Sequence, residues 1–229
     1  MNGTKPERFE NNAPKRAFIF TGGKDFSPEK MTDLPDCDDI IIAADSGCSL
    51  IGEFSKAHYE IRPDIILGDM DSYSGKNLKE LYKGAKFISF PPEKDDTDTS
   101  LAVGYALSLG CEKIIIAGGL GGRLDHTLAN VFLLEFIKEK GGCGIITDGK
   151  NRAYLAQKEN IIASSRKYIS LIPLDDVICG VIMDENFKYP FEAKELFRKK
   201  FVTVSNEITS ANALLKVDCG SALIVESGD

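Results

Sequence analysis

The feature that most restricts how this chain can fold is a series of short apolar runs, each stopped by glycine, aspartate or proline. Run 17–20 stops at Thr21-Gly22-Gly23, run 40–44 at Asp45-Ser46-Gly47, and run 65–67 at Gly68-Asp69. Run 87–90 stops at Pro91-Pro92, run 114–117 at Gly118-Gly119, and run 144–147 at Asp148-Gly149. Continuous apolar runs of this length suit strands buried on both faces. Helical spacing fills two of the intervals. Leu101, Tyr105 and Leu109 repeat every four residues over 97–109, and Leu128, Val131 and Phe132 follow a similar spacing over 125–138, before Gly141-Gly142. The alternation predicts an α/β fold with a doubly wound, mostly parallel sheet and helices on both faces. In such sheets ligands lie beyond the carboxyl ends of the strands. The acids and glycines of this chain collect at those ends.

After residue 150 the texture changes. Segments 152–155, 168–172, 177–183, 187–191, 201–204, 213–217 and 223–225 have strand character, and 191–200 is ambiguous. They predict a small antiparallel β-sandwich or barrel-like domain over 150–229, preceded by an α/β domain over 16–149 and a flexible tail over 1–15. With 229 residues, 43% of them hydrophobic, the chain can bury its cores without staples. A net charge of -7 argues against general nucleic-acid binding, which needs a basic footprint. Residues 1–16 lack the apolar stretch of a signal peptide, and no run approaches the ~20 residues that span a bilayer. A cytoplasmic protein is expected. Its six cysteines include no C-x-x-C pair, which suggests neither zinc nor redox chemistry. They are expected to be small buried hydrophobes in a reducing compartment.

Three polar clusters carry candidate chemistry. Gly68-Asp69-Met70-Asp71-Ser72 places two carboxylates one residue apart at a strand end. They can converge on a hard cation such as Mg²⁺, or form a solvated turn. Glu93-Lys94-Asp95-Asp96-Thr97-Asp98 follows the next strand and opens a helix. Asp96 or Thr97 serves as its cap, but capping accounts for only one or two of the acids. The remaining like charges repel unless a cation screens them. Gly118-Gly119-Leu120-Gly121-Gly122-Arg123-Leu124-Asp125-His126 joins a strand to a helix. Its glycines permit close approach to a ligand, the helix N-terminus favours anions, and Arg123 can fork onto phosphate. It is neither a Walker A sequence nor G-x-G-x-x-G. Asp45-Ser46-Gly47 reads equally as a turn with a left-handed glycine or as part of a phosphate or metal shell. Ser205-Asn206-Glu207 reads as a turn. His126 is expected to pack or cap at its helix start, and His58 to be solvated. No Ser-His-Asp arrangement is present.

Taken in order, Ala44-Asp45-Ser46-Gly47, Gly68–Ser72, Lys94-Asp95-Asp96-Thr97-Asp98, Gly118–Asp125 and Ser205-Asn206-Glu207 resemble the motifs of the thiamine pyrophosphokinase family. The resemblance implies an ATP-binding α/β domain, a C-terminal β-domain, and a homodimer with thiamine in a cleft between subunits. It implies Mg²⁺ on Asp69, Asp71 and Asp98, with Asp45, Ser46, Thr97 and Arg123 around the nucleotide phosphates. Asp125 would meet the aminopyrimidine of thiamine, and Ser205 and Asn206 would reach thiamine or nucleotide from the β-domain. Two departures stand out. Lys94 replaces a Gln found in some members. The chain also has no Trp, where animal members stack an indole on thiamine; Tyr189 is a candidate substitute.

The implied reaction is attack of the thiamine hydroxyl on the β-phosphorus of ATP, with AMP leaving. Arg123 and Lys94 would add positive charge, and Asp98 or Asp71 would accept the proton. The D-x-D acids also suit a metal-dependent glycosyl- or nucleotidyltransferase, and a ligand-binding module without turnover is a third reading.

Overall fold

The structure, a computed structural model, describes residues 16–68, 78–90, 96–163 and 165–228. The tail 1–15 expected to be flexible lies outside them. The chain divides into two compact units, Met1–Gly149 and Lys150–Asp229.

Among the described residues the first unit has six parallel strands: β1 (Arg16–Phe20), β2 (Ile40–Ala44), β3 (Ile65–Gly68), β4 (Lys86–Ser89), β5 (Lys113–Ala117) and β6 (Cys143–Thr147). Their order is β4-β3-β2-β1-β5-β6. Strand β1 is central, with Phe18 opposite both Ile41 and Ile115. Its residues 17–20 are fully buried, as the unbroken apolar run requires. The chain steps outward from β1 to β4, then returns to β5 on the other side of β1. By the right-handed rule for such crossovers, α1 (Gly47–Ala57) and α2 (Leu78–Leu81) belong to one face and α3 (Asp98–Ser108) and α4 (Leu124–Glu139) to the other. Helices α3 and α4 touch each other, and α1 packs Phe54 edge-on to Phe20 at 5.8 Å. No helix among the described residues is long and apolar enough to cross a membrane.

Helix α1 corrects one expectation. The left-handed residue after β2 is Asp45, with φ 52°, and Gly47 is already helical. Glycine is needed at 47 because a Cβ there would run into the Phe20 carbonyl. His58 corrects another. It caps the end of α1, stacks on Phe54 at 4.7 Å, and holds Nε2 2.7 Å from the Pro28 carbonyl oxygen. It belongs to the packing rather than to solvent.

The second unit is two antiparallel sheets. One has the order β7-β13-β9, from β7 (Asn151–Leu155), β13 (Ala222–Ser227) and β9 (Tyr168–Pro173). The other has the order β11-β10-β12-β8, from β11 (Phe191–Phe197), β10 (Val177–Met183), β12 (Ala213–Lys216) and β8 (Glu159–Ile162). Inward side chains of both sheets, among them Leu171, Ile178, Val181, Leu215 and Ile224, share one core. The ambiguous stretch 191–200 thus contains strand β11. Segments expected as strands at 187–191 and 201–204 are largely irregular. Phe187 makes a single bridge to Ile208, and Thr203 is held to Leu171 through N–H and O–H contacts of 2.9 and 2.7 Å.

The cysteines follow the expectation only in part. Cys48 and Cys111 are buried, and burial pushes each thiol up to about 12, which makes them inert. Cys37 and Cys143 are exposed. Cys179 and Cys219 form a disulfide, because facing main-chain bonds bring their Cα atoms to 5.2 Å. The bridge closes a loop across 40 residues, which by chain entropy is worth about 4 kcal/mol. Cys219→Ser should therefore lower urea-unfolding stability by up to that amount. A reductant should bring the parent down equally and leave the variant unchanged.

Candidate active site

The change of direction between β1 and β5 leaves a crevice at their carboxyl ends, the position where open α/β sheets bind ligands. A cavity of about 530 Å³ lies there, wholly within the first unit. Its floor is made by two glycine-bearing loops. Thr21 donates its N–H to Ala117 at 3.0 Å, and Gly118 donates to Thr147 at 2.7 Å. These bonds carry the β1 and β5 ends forward side by side. Gly23 then passes so close to Gly118 that any Cβ on it would enter the Gly118 carbonyl. Gly118, Gly121 and Gly122 all have positive φ (75°, 84° and 70°), which a side chain would strain. The buried Asn130 amide donates to the Gly119 carbonyl at 2.8 Å and fixes this loop to α4.

The walls come from the acidic motifs. Thr97 caps α3 by accepting from Ser100 N at 3.1 Å, and Asp98 is the first helical residue. Thr99 in the same turn shares a buried 3.0 Å hydroxyl contact with Thr21, which ties the α3 start to the end of β1. Asp45 donates its N–H to Leu67 at 2.9 Å, and its left-handed φ turns it toward the cavity it lines. A Cβ on Gly68 would stand 3.4 Å from the Asp45 main chain and 3.7 Å from Asp98 Oδ1. Asp45 and Asp98 therefore flank the residue that precedes Asp69. Ser46 sits just behind, with its hydroxyl 3.4 Å from Asp45 Oδ2 and against Gly22.

The cavity has mixed charge. The N-termini of α3 and α4 contribute helical residues to its lining, as do Lys24 and Arg123, and all four favour an anion. Asp45 and Asp98 oppose one. Hard oxygen donors beside an anion cradle suit a divalent cation shared with phosphate oxygens. Asp69, Asp71 and Lys94 lie outside the described residues. At the mouth, Arg123 grips Asp125 through bonds of 3.1 and 2.5 Å, which raises the guanidinium pKa and lowers that of the carboxyl. Both are exposed. Two donors of the guanidinium are spent in this pair, so three remain for another oxygen ligand. His126 is exposed at the cavity edge rather than packed.

Residues 21–24 and Asn130 were not singled out as site residues from the sequence. The available signal was positional, since Thr21-Gly22-Gly23 ends the first strand as the other clusters end theirs.

The second unit holds the remaining candidates. Ser205 is left-handed (φ 58°), and its N–H donates to Ser170 Oγ at 3.0 Å. Asn206 was expected to reach a ligand. It is instead buried, 4% exposed, with its amide engaged by Tyr189 and Glu207. Tyr189 is 61% exposed, and beside it Lys188 pairs with Glu207 at 2.9 Å.

Comparison with known proteins places these features. Residues 31–145 match the thiamin pyrophosphokinase catalytic domain, and residues 157–224 match the thiamin pyrophosphokinase vitamin B1 binding domain. The thiamine pyrophosphokinase of Bacillus subtilis (strain 168) is 29% identical over 182 residues, covering 74% of this chain and 80% of that protein. Thiamin pyrophosphokinase 1 of Caenorhabditis elegans is 30% identical over 169 residues, covering 67% and 66%. The crystal structure of the Bacillus subtilis thiamine pyrophosphokinase shares the fold, with a TM-score of 0.83 at 24% identity over 94% of this chain and 100% of the other. A glycine-floored, acid-walled cavity in one unit and a B1-binding match over the other lead to the same conclusion: this chain belongs to the thiamin pyrophosphokinase family.

Proposed function

We propose that the cavity at the β1/β5 crevice holds the triphosphate of ATP while this enzyme transfers pyrophosphate to the hydroxyl of thiamine, giving thiamine diphosphate and AMP. The observation that carries the reading is the convergence of glycine main chain, two helix N-termini and the acids Asp45 and Asp98 on one cavity. Phosphoryl-type transfer is catalysed mainly by position and charge neutralisation. The N–H groups of the glycine loops and the Thr97 hydroxyl bind phosphate oxygens, and Ser46 supports Asp45 behind them. Arg123 uses its remaining donors on the same group, and Lys94 adds a second cation.

The carboxylates fit Mg²⁺, with Asp98, Asp69 and Asp71 as its holders; when bound, the ion neutralises phosphate charge. The thiamine hydroxyl forms its bond to the β-phosphorus as the bond to the α-phosphoryl oxygen breaks. Its proton passes to Asp98 or Asp71. Asp125, Ser205 and the exposed ring of Tyr189 receive thiamine, with the ring in place of an indole. The alternative glycosyl- or nucleotidyltransferase reading falls with the family assignment.

The enzyme works in this reading as a cytoplasmic homodimer. ATP is kept in that compartment, although the Cys179–Cys219 disulfide is unusual there. The dimer is supported by the outer face of α4, where Leu124, Leu128, Phe132 and Phe136 form one four-residue ridge. Leu124 is 71% and Phe132 58% exposed, on a face where a solvated helix would carry charges. Such a ridge offers on the order of 400 Å² per copy, so a two-fold pair covers about 800 Å², somewhat below the ~1,000 Å² of a specific interface. The exposed Phe197, Phe201, Val202 and Val204 of the second unit supply further apolar surface for a second copy.

Incubation with ATP, Mg²⁺ and thiamine should yield thiamine diphosphate and AMP by mass spectrometry. Asp98→Asn should lower kcat/KM at least about 100-fold without changing the melting temperature by more than a few degrees. Near-parental turnover in that variant would remove Asp98 from the mechanism. Gly23→Ala should cost about 3 kcal/mol of stability and weaken ATP binding measured by calorimetry, because the loops after β1 and β5 must separate. Phe132→Glu should shift the sedimentation coefficient from dimer to monomer; an unchanged dimer would exclude α4 from the interface.

A further inference from the structure

We infer that Asn206 is a positioning residue for thiamine, acting through the main chain of Tyr189 rather than by touching the substrate. The inference rests on the reading of Tyr189 as the aromatic that receives thiamine. The Asn206 side chain donates from Nδ2 to the Tyr189 carbonyl at 2.7 Å. Its Oδ1 accepts from Tyr189 N–H at 3.1 Å and from Glu207 N–H at 2.9 Å. An asparagine amide has two N–H donors and an oxygen with two lone pairs. Three of those four capacities are spent on main chain, and Nδ2 also lies 3.9 Å from Met183 Sδ. Nothing remains to reach outward, and the residue is 4% exposed.

The clamp stands where regular pairing is absent. Strand β10 ends at Met183 and β11 begins at Phe191, so Tyr189 lies in the irregular stretch between them. The neighbouring rungs are the Phe187 bridge to Ile208 and the Lys188 N–H bond to the Glu207 carbonyl at 2.8 Å. Asn206 provides the next rung with a side chain in place of main chain. Its own main chain is pinned to Ile169 by bonds of 2.8 and 2.9 Å, so the clamp has a rigid base in β9. Tyr189 can then be exposed without its Cα wandering, which fixes the point from which the ring projects before thiamine arrives.

The test is a double-mutant cycle on the full chain with steady-state kinetics, using Asn206→Asp, Tyr189→Ala and the pair. Asn206→Asp keeps the shape and the acceptor but loses the donor to the Tyr189 carbonyl. It should raise KM for thiamine about tenfold while kcat and KM for ATP stay within about twofold. Tyr189→Ala should do the same, and the pair should be no worse than either alone. Multiplicative losses, near a hundredfold in the pair, would mean that Asn206 contacts thiamine itself and would overturn the inference. A lowered melting temperature with unchanged KM for thiamine would also overturn it, as a purely structural role. An unchanged KM in Tyr189→Ala alone would instead remove the stacking assignment, a failure of the underlying reading. Asn206→Ser, which keeps a small acceptor, is measured in the same cycle so that the result stands if the aspartate variant does not fold.

Discussion

The loops that leave β1 and β5 run so close together that a Cβ on Gly23 would enter the Gly118 carbonyl, and this contact governs the geometry of the whole cavity. It exists because the two strands are hydrogen-bonded neighbours that the chain leaves in opposite directions. One loop leads toward β2, and the other leads into α4 on the opposite face. Between them Gly22, Gly23, Gly118, Gly119, Gly121 and Gly122 line the crevice with main chain instead of a hydrophobic layer. A polyphosphate needs such a surface, since main-chain donors can approach its oxygens without the entropy cost of ordering long side chains.

The acids make sense only against that background. A helix N-terminus stabilises an anion by about 0.3–1 kcal/mol at an exposed site. Two carboxylates at the same site work against it. An anion cradle that also presents Asp45 and Asp98 is poorly suited to bare phosphate and well suited to phosphate that arrives with a cation. The Arg123–Asp125 pair expresses the same balance at the mouth. Each group holds the other charged, so the arginine is oriented before any ligand is present. Asp125 contributes this most fully above the ordinary carboxylate range and loses it as pH falls through its lowered pKa.

Much of the first unit was legible in the sequence because its strands are buried on both faces and so appear as unbroken apolar runs. Helices α3 and α4 were legible by spacing. Helix α1 was not, because Gly47 and Gly52 weaken its propensity and Gly47 answers to the Phe20 carbonyl, a tertiary contact. In the second unit, Phe191–Phe197 reads as helix or strand by itself, and pairing with β10 decides it. Phe201, Val202 and Val204 have strand composition without strand pairing, because that surface is left exposed. Cys179 and Cys219 lie 40 residues apart, a spacing that carries no pairing information. The acids and the glycine loop could be placed at one sheet edge from order alone. The commitment of the Asn206 amide could not, since hydrogen-bond partners 17 residues apart in an irregular loop leave no periodic trace.

The two units position their functional groups by different means, and the difference follows from what each must hold. In the first, the proposed recognising surface is glycine main chain, so precision comes from removing side chains: glycine lets two loops meet. In the second, the candidate recognising group is the exposed ring of Tyr189, which no ladder supports because it lies between β10 and β11. Precision there requires a side chain that imitates main chain, and an asparagine amide has the donor and acceptor geometry to do so. Burying that amide is tolerable only because nearly all of its capacity is used, since an unsatisfied buried donor costs about 1–3 kcal/mol. The same accounting that makes Asn206 a poor ligand contact makes it an effective clamp.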